Sequence, residues 1–253
     1  MKKLFLAFTL ASSLMACKKE STNSSLNSTS KNDSDKSNIN FSAIGTVVGS
    51  FQNNVTDLDG NTYKTVKIGS QIWMAENLKT SKYNDGTVIP NIPEIDKWMN
   101  DSIGAWVYYN NDSTNNKKYG KLYNWYAVSP TTNGNKNVCP TGWHVPTDSE
   151  WTVLTDFLGG TYDAADKMKE IGFSSWIKSN TNATNTSLFT GIPGGYRGYE
   201  GGYGLIGYDG YWWSSSEFDT YGATLFYLVY ANGTSYLDHW GKKFGHSLRC
   251  VKN

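Results

Sequence analysis

Only one stretch of this chain, Pro146 to Gly160, carries a full set of helix signals; nearly everything else is short β-prone runs cut by glycine and polar turns. Thr147-Asp148-Ser149-Glu150 fits a capping box, with Thr147 as N-cap and Glu150 at the third helical position. Pro146 restrains the approach, and Asp148 sits favourably at the positive end of the helix. Trp151, Leu154 and Leu158 recur at three- and four-residue spacing and predict one buried face. Gly159-Gly160 stops the helix. A second helical pattern covers Asp163 to Ile171 and ends at Gly172. Few helices, many short strands and 25 glycines predict an α+β domain with much irregular backbone.

Gly45 to Phe51 (GTVVGSF) and Thr62 to Ile68 (TYKTVKI) flank Asp57-Leu58-Asp59-Gly60-Asn61. Asp-Gly between two such runs predicts a hairpin turn. Asp57 and Asp59 also match part of a calcium loop, but Lys64 and Lys67 stand where oxygen ligands would be needed, so the hairpin reading prevails. Gly69 to Leu78 continues with a turn and a partly buried strand bearing Trp73 and Met74. Asn110, Asn111 and Asp112 open a polar loop and offer oxygens of the kind Ca²⁺ takes. The same residue types serve ordinary turns by bonding their own backbone, and the sequence leaves both readings open. From Phe189 the chain turns to glycine–tyrosine alternation, and Thr224 to Tyr230 and Ser247 to Lys252 read as the last strands.

Location is written at the start of the chain. Lys2 and Lys3 precede a short apolar run, Leu4 to Leu14, and then Met15, Ala16 and Cys17. Cysteine at the cut offers a thiol for acylation, so the segment resembles a bacterial lipoprotein signal; the plain alternative is an ordinary signal peptide with a chance cysteine. The apolar run is too short to span about 30 Å of hydrocarbon. Lys18 to Asn40 is nearly all Ser, Asn, Thr, Lys and Asp, with Leu26 and Ile39 its only aliphatic residues, and cannot offset its own ordering entropy. The expected organisation is a signal peptide over 1–16, lipidated Cys17 and a disordered tether over 17–40, and a single domain over 41–253. That places the protein in the bacterial cell envelope, at the outer membrane or cell surface, held to the membrane by lipid. Loss of Lys2 and Lys3 takes the formal charge from +1 to −1, and no basic stripe appears, so a nucleic-acid partner has no electrostatic support. The two remaining cysteines, Cys139 and Cys250, are expected to pair in an oxidising compartment, the alternative being two buried free thiols.

Several longer motifs carry a family likeness. Val55 to Leu78 (VTDLDGNTYKTVKIGSQIWMAENL), Tyr119 to Val128 (YGKLYNWYAV) and Cys139 to Trp151 (CPTGWHVPTDSEW) resemble the Fibrobacter succinogenes major paralogous domain. So do Pro193 to Arg197 (PGGYR), Gly210 to Glu217 (GYWWSSSE) and Gly245 to Lys252 (GHSLRCVK). Members are mostly exported or surface proteins without an assigned activity, so the resemblance implies location more than chemistry. Val145 to Trp151 and Gly245 to Val251 are more distantly similar to formylglycine-generating, sulfatase-modifying enzymes. That likeness implies a C-type-lectin-like fold of the sulfatase-modifying variety, with much loop around small sheets.

Catalytic constellations are incomplete. The formylglycine-type enzymes use a close cysteine pair near the domain's end, and Cys250 has no cysteine neighbour. Ser214 to Ser216 with Glu217, His239 and His246 contain the residue types of a triad without a GxSxG elbow. His144, His239 and His246 lack the spacing of a zinc site. The expectation is therefore a binding module without catalysis, metal or cofactor. Ten Trp and seventeen Tyr supply flat faces with polar tips, suited to a glycan or a surface protein. The candidate ligand contacts are Tyr196, Arg197, Tyr199, Tyr203, Tyr208 and Tyr211, in glycine-rich loops that can expose their rings. Their bland alternative is framework and loop packing, while Trp125, Trp143, Trp151, Trp212 and Trp213 are expected in the core. An enzyme acting on an extracellular glycan or protein is the runner-up reading, and a structural surface-coat protein the third.

Overall fold

β1 (Gly49–Thr56) and β2 (Thr62–Ile68) pair antiparallel across the Asp-Gly turn, as the flanking patterns predict. The computed structural model describes residues 46–253 apart from 178 and 181, so the signal, Cys17 and the tether lie outside the described residues. Alternation sets the faces of β2: Tyr63, Thr65, Val66 and Ile68 are buried while Thr62, Lys64 and Lys67 face water. Asp57 closes the turn. Its Oδ1 accepts the Asp59 and Asn61 amides at 2.9 Å each, and its Oδ2 accepts the Tyr63 hydroxyl at 2.5 Å. These are hydrogen-bond donors, the pattern of an Asx-type turn. β1 begins and ends later than its sequence pattern, running through Asn53 and Asn54 with a register shift before Val55.

β3 (Gln71–Met74) completes the hairpin set. The middle of the chain is a succession of short pieces: α1 (Ile95–Asn100), β4 (Trp106–Val107), α2 (Asn116–Tyr119), β5 (Leu122–Tyr123), α3 (Trp125–Val128), α4 (Pro130–Asn133) and β6 (Trp143–His144). α5 (Asp148–Phe157) is the helix read from the sequence, and both capping-box bonds form: Glu150 N–H to Thr147 Oγ1 at 3.2 Å and Thr147 N–H to Glu150 Oε2 at 2.8 Å. Trp151 and Leu154 are its buried stripe. α6 (Ala164–Met168) is shorter than its pattern, because Lys169 turns extended to bridge Gly191. The buried Lys169 ammonium lies 3.2 Å from Asp166 Oδ1 and donates to Asn232 O at 2.7 Å.

The glycine-rich half holds β7 (Gly194–Arg197), β8 (Tyr203–Ile206), β9 (Asp209–Glu217), β10 (Gly222–Val229), β11 (Ser235–Gly241) and β12 (Val251–Lys252). Regular pairing in the last segment is confined to Val251 and Lys252, although Ser247 bridges Trp212 and the Leu248 and Cys250 carbonyls accept from Leu78 and Met74. One sheet runs β1-β2-β3-β12-β6, a second runs β11-β10-β9-β7-β8, and β4-β5 form a small third. The backbone of β7 passes so near β8 that a Cβ on Gly195 would meet Gly204 O at 2.2 Å.

The core joins the two large sheets through α5. Trp151 stacks on Phe226 of β10 with ring centroids 4.3 Å apart and 5° between planes, and lies 4.6 Å from Trp73 of β3. All five tryptophans assigned to the core are buried. A neighbouring cluster encloses the Cys139–Cys250 disulfide, whose Cα atoms are 5.9 Å apart across 111 residues of sequence. Arg249 beside it is fully buried and spends its guanidinium on neutral oxygens: Asn77 Oδ1 at 3.0 Å, Thr190 O at 2.8 Å and Phe189 O. Burial holds its pKa down to about 9.

Candidate ligand-binding face

Alternation along β9, β10 and β11 separates two faces. Trp212, Phe226 and Leu228 enter the cluster around α5. On the opposite face, cross-strand register places Tyr211, Tyr227 and Tyr236 side by side. Tyr211 and Tyr227 stack with centroids 5.4 Å apart at 29°, and Tyr227 and Tyr236 at 4.7 Å and 11°. Trp240, two strand positions beyond Asp238, lies 5.1 Å from Tyr211 and 5.5 Å from Tyr196. Phe244 stands 5.1 Å from Trp240, and Tyr199 stands 5.7 Å from Phe244. Tyr227, Tyr236, Trp240, Tyr196 and Phe244 are half-buried, so the row is anchored below and open above.

His246 lies beneath this row. Its ring is 4.5 Å from Trp213, 5.3 Å from Trp240 and 5.4 Å from Tyr211, and neither ring nitrogen has a hydrogen-bond partner. Burial pushes its pKa down to about 3, which keeps the imidazole neutral at physiological pH. Carboxylates lie within the row and at its ends. The Tyr211 hydroxyl donates to Asp209 Oδ2 at 2.9 Å, the Trp240 Nε1–H to Asp238 Oδ2 at 3.3 Å and the Tyr199 hydroxyl to Glu200 Oε1 at 2.7 Å. Burial, then the Asp209 charge, raises the Tyr211 pKa well above the usual phenol range; burial also raises that of Asp209.

The six tyrosine and arginine candidates do not form one site. Tyr196 and Tyr199 reach the open face, and Tyr211 supports it from below at 3 % exposure. Arg197 is fully buried instead of exposed: its Nη1 and Nη2 donate to Ile92 O at 2.7 Å and Pro93 O at 3.0 Å, and it lies 4.3 Å over Trp98. Tyr203 turns the other way, packing 5.2 Å from Tyr109 and donating to Asn111 Oδ1 at 2.7 Å. Tyr208 meets Tyr230 edge-on, at 5.4 Å and 90°, away from the row. Tyr227, Tyr236, Trp240, Phe244 and His246 were not among the candidates; the signal for part of the row was the alternation Tyr236-x-Asp238-x-Trp240.

The residue types that suggested other chemistry are engaged elsewhere. His144 is held between Glu150 Oε1 and Asn253 Oδ1 at 2.7 Å each, and His239 stacks on Phe218 at 3.7 Å. The Ser216 hydroxyl donates to Asp148 Oδ1 at 2.9 Å, and buried Ser214 Oγ accepts the Ser216 amide at 3.0 Å. In the polar loop Asp112 Oδ1 caps Thr114, accepting its amide at 2.9 Å and its hydroxyl at 2.7 Å.

Two five-stranded sheets, a small third and a few short helices define a mixed α and β domain, with the aromatic row on one sheet face. A model of the Fibrobacter succinogenes major domain matches residues 66–252, and the chain belongs to that family. The match starts inside the first of the sequence motifs and takes in all the others. No curated protein and no solved structure matches the chain.

Proposed function

We propose that the protein is a lipid-anchored, extracytoplasmic binding module whose tyrosine row stacks on the rings of a glycan. The observation that carries this reading is the Tyr211–Tyr227–Tyr236 stack, closed below by His246 and Trp213 and continued by Trp240. Sugar rings present apolar faces flanked by hydroxyls, and Tyr and Trp pair an apolar body with a polar tip. Rings already stacked on one another lose little side-chain freedom when a ligand settles on them, which favours binding over a loose aromatic loop. The lipoprotein-like signal ending at Cys17 supports placement in the bacterial envelope, at the outer membrane or cell surface, with residues 17–40 as tether and 41–253 as one domain. Small sheets within much irregular backbone support the finer fold assignment, C-type-lectin-like of the sulfatase-modifying variety.

A glycan array probed with the full chain tests the reading. Tyr227→Ala and Trp240→Ala should each weaken binding about tenfold, the usual scale for losing one central aromatic contact. Tyr221→Ala, at an 82 % exposed position in the turn between β9 and β10, should leave it unchanged. Absence of any glycan ligand, or equal losses in all three variants, would contradict the proposal. The anchor is tested separately: labelled fatty acid should enter the wild type and not Cys17→Ala, and equal labelling would remove it.

A further inference from the structure

We infer that the glycan taken by this face is cationic, an oligomer of the amino-sugar class with free amino groups. The inference rests on the glycan reading and adds the charge of the ligand. Strand residues two apart share a face and stand roughly 6–7 Å apart, so Asp238 projects between Tyr236 and Trp240. Asp238 is exposed, whereas the rings on either side of it are half-buried. Its carboxylate stands exposed between those rings while accepting the Trp240 indole N–H at 3.3 Å and the His239 amide at 2.8 Å. A sugar ring stacked on Tyr236 or Trp240 carries its substituents over that carboxylate.

Glu200 brings a second exposed carboxylate to one end of the row, against the Tyr199 hydroxyl, whereas Asp209 at the other end is buried against the Tyr211 hydroxyl. The cations nearest in sequence turn away. Lys242 pairs with Glu217, donates to Thr220 O at 2.8 Å and lies 5.0 Å over Trp125. Lys243 donates to Met99 O. The result is π faces interleaved with carboxylates, and both attract an ammonium group. A uronate or sulfated sugar would bring like charge onto Asp238. An N-acetylated sugar would keep the stacking and lose the charge contact. Of the three sugar classes, charge complementarity selects the amino sugar.

The test titrates the full chain with a glucosamine hexamer, its fully N-acetylated counterpart, a hexuronate oligomer and hexalysine. The amino hexamer should bind about tenfold more tightly than the acetylated one at low salt, with the gap closing as salt is added. Asp238→Asn should bring the amino hexamer to the acetylated level and leave the acetylated affinity alone, while Tyr227→Ala weakens both. Equal or tighter binding of the acetylated or uronate oligomer would overturn the inference and leave the glycan reading standing. So would an amino-sugar preference that Asp238→Asn does not change. Hexalysine binding in place of every sugar, or no sugar binding at all, would remove both.

Discussion

Replacing Cys139 and Cys250 together by alanine should lower the unfolding free energy by roughly 3–5 kcal/mol, the scale expected when a cross-link closing a loop of about a hundred residues is lost. The bridge spans 111 residues and ties the segment before β6 to the residue before β12, in a cluster where both cysteines are fully buried. In the unfolded chain the same link forbids most separations of those two points, so cutting it favours unfolding more than folding. Urea denaturation of the variant against the wild type measures the difference. An unchanged midpoint would show that the buried neighbours hold this region without the bond. Intact mass without reductant, two daltons below the reduced form, checks that the bridge is present in the material used.

Acid should also destabilise the protein, through His246. Its folded pKa is held at about 3 against an ordinary 6.5, so between those values the unfolded state binds the extra proton. Stability from this group is complete above about pH 6.5 and falls as pH drops toward 3, by up to about 1.4 kcal/mol per pH unit. The cause is packing: five aromatic rings and no hydrogen-bond partner surround an imidazole that cannot take up charge where it lies. His246→Phe should fit among those rings, match the wild type at pH 7 and exceed it at pH 5. Thermal melts between pH 5 and 6.5 isolate the effect. Asp59 acts lower, because the Ser81 hydroxyl and amide, with Lys82, outweigh desolvation and hold its carboxyl at about 2. Its stabilisation is present above its ordinary 3.8 and disappears as pH falls through 2. A wild type as stable at pH 5 as at pH 7, or a phenylalanine variant with the same acid slope, would contradict this account.

The start of α5 and the first hairpin are legible in the sequence because neighbouring residues determine both. The α5 start depends on Thr147 and Glu150, three residues apart, and the first hairpin on one Asp-Gly turn. Pairing of Cys139 with Cys250 is expected on the premise that Cys17 carries lipid, and the two are bonded. What failed depended on distant partners. Lys169 leaves α6 for a bridge to Gly191, and nothing between Asp163 and Ile171 announces that partner. Arg197 follows a glycine pair and a tyrosine, which reads as an exposed loop, yet the Ile92 and Pro93 carbonyls that bury it lie more than a hundred residues earlier. The tyrosine row was half legible for the same reason. Alternation puts Tyr236, Asp238 and Trp240 on one side of a strand, but only the β9–β10–β11 register brings Tyr211 and Tyr227 beside them. Tyr203 and Tyr208 share the glycine-rich setting and point elsewhere, so composition could not tell them from their neighbours.

The place of β12 has a consequence for the order in which the molecule can be made. Val251 pairs with Trp73 on one side and His144 on the other, so the last strand is an interior member of its sheet. A chain emerging from a ribosome or threading a translocation pore N-terminus first can close the β1–β2–β3 meander early. It cannot seat β6 against that meander, or oxidise Cys139 with Cys250, until residues near 250 have arrived. Vectorial synthesis thus leaves this domain pliable until the residues near 250 have emerged.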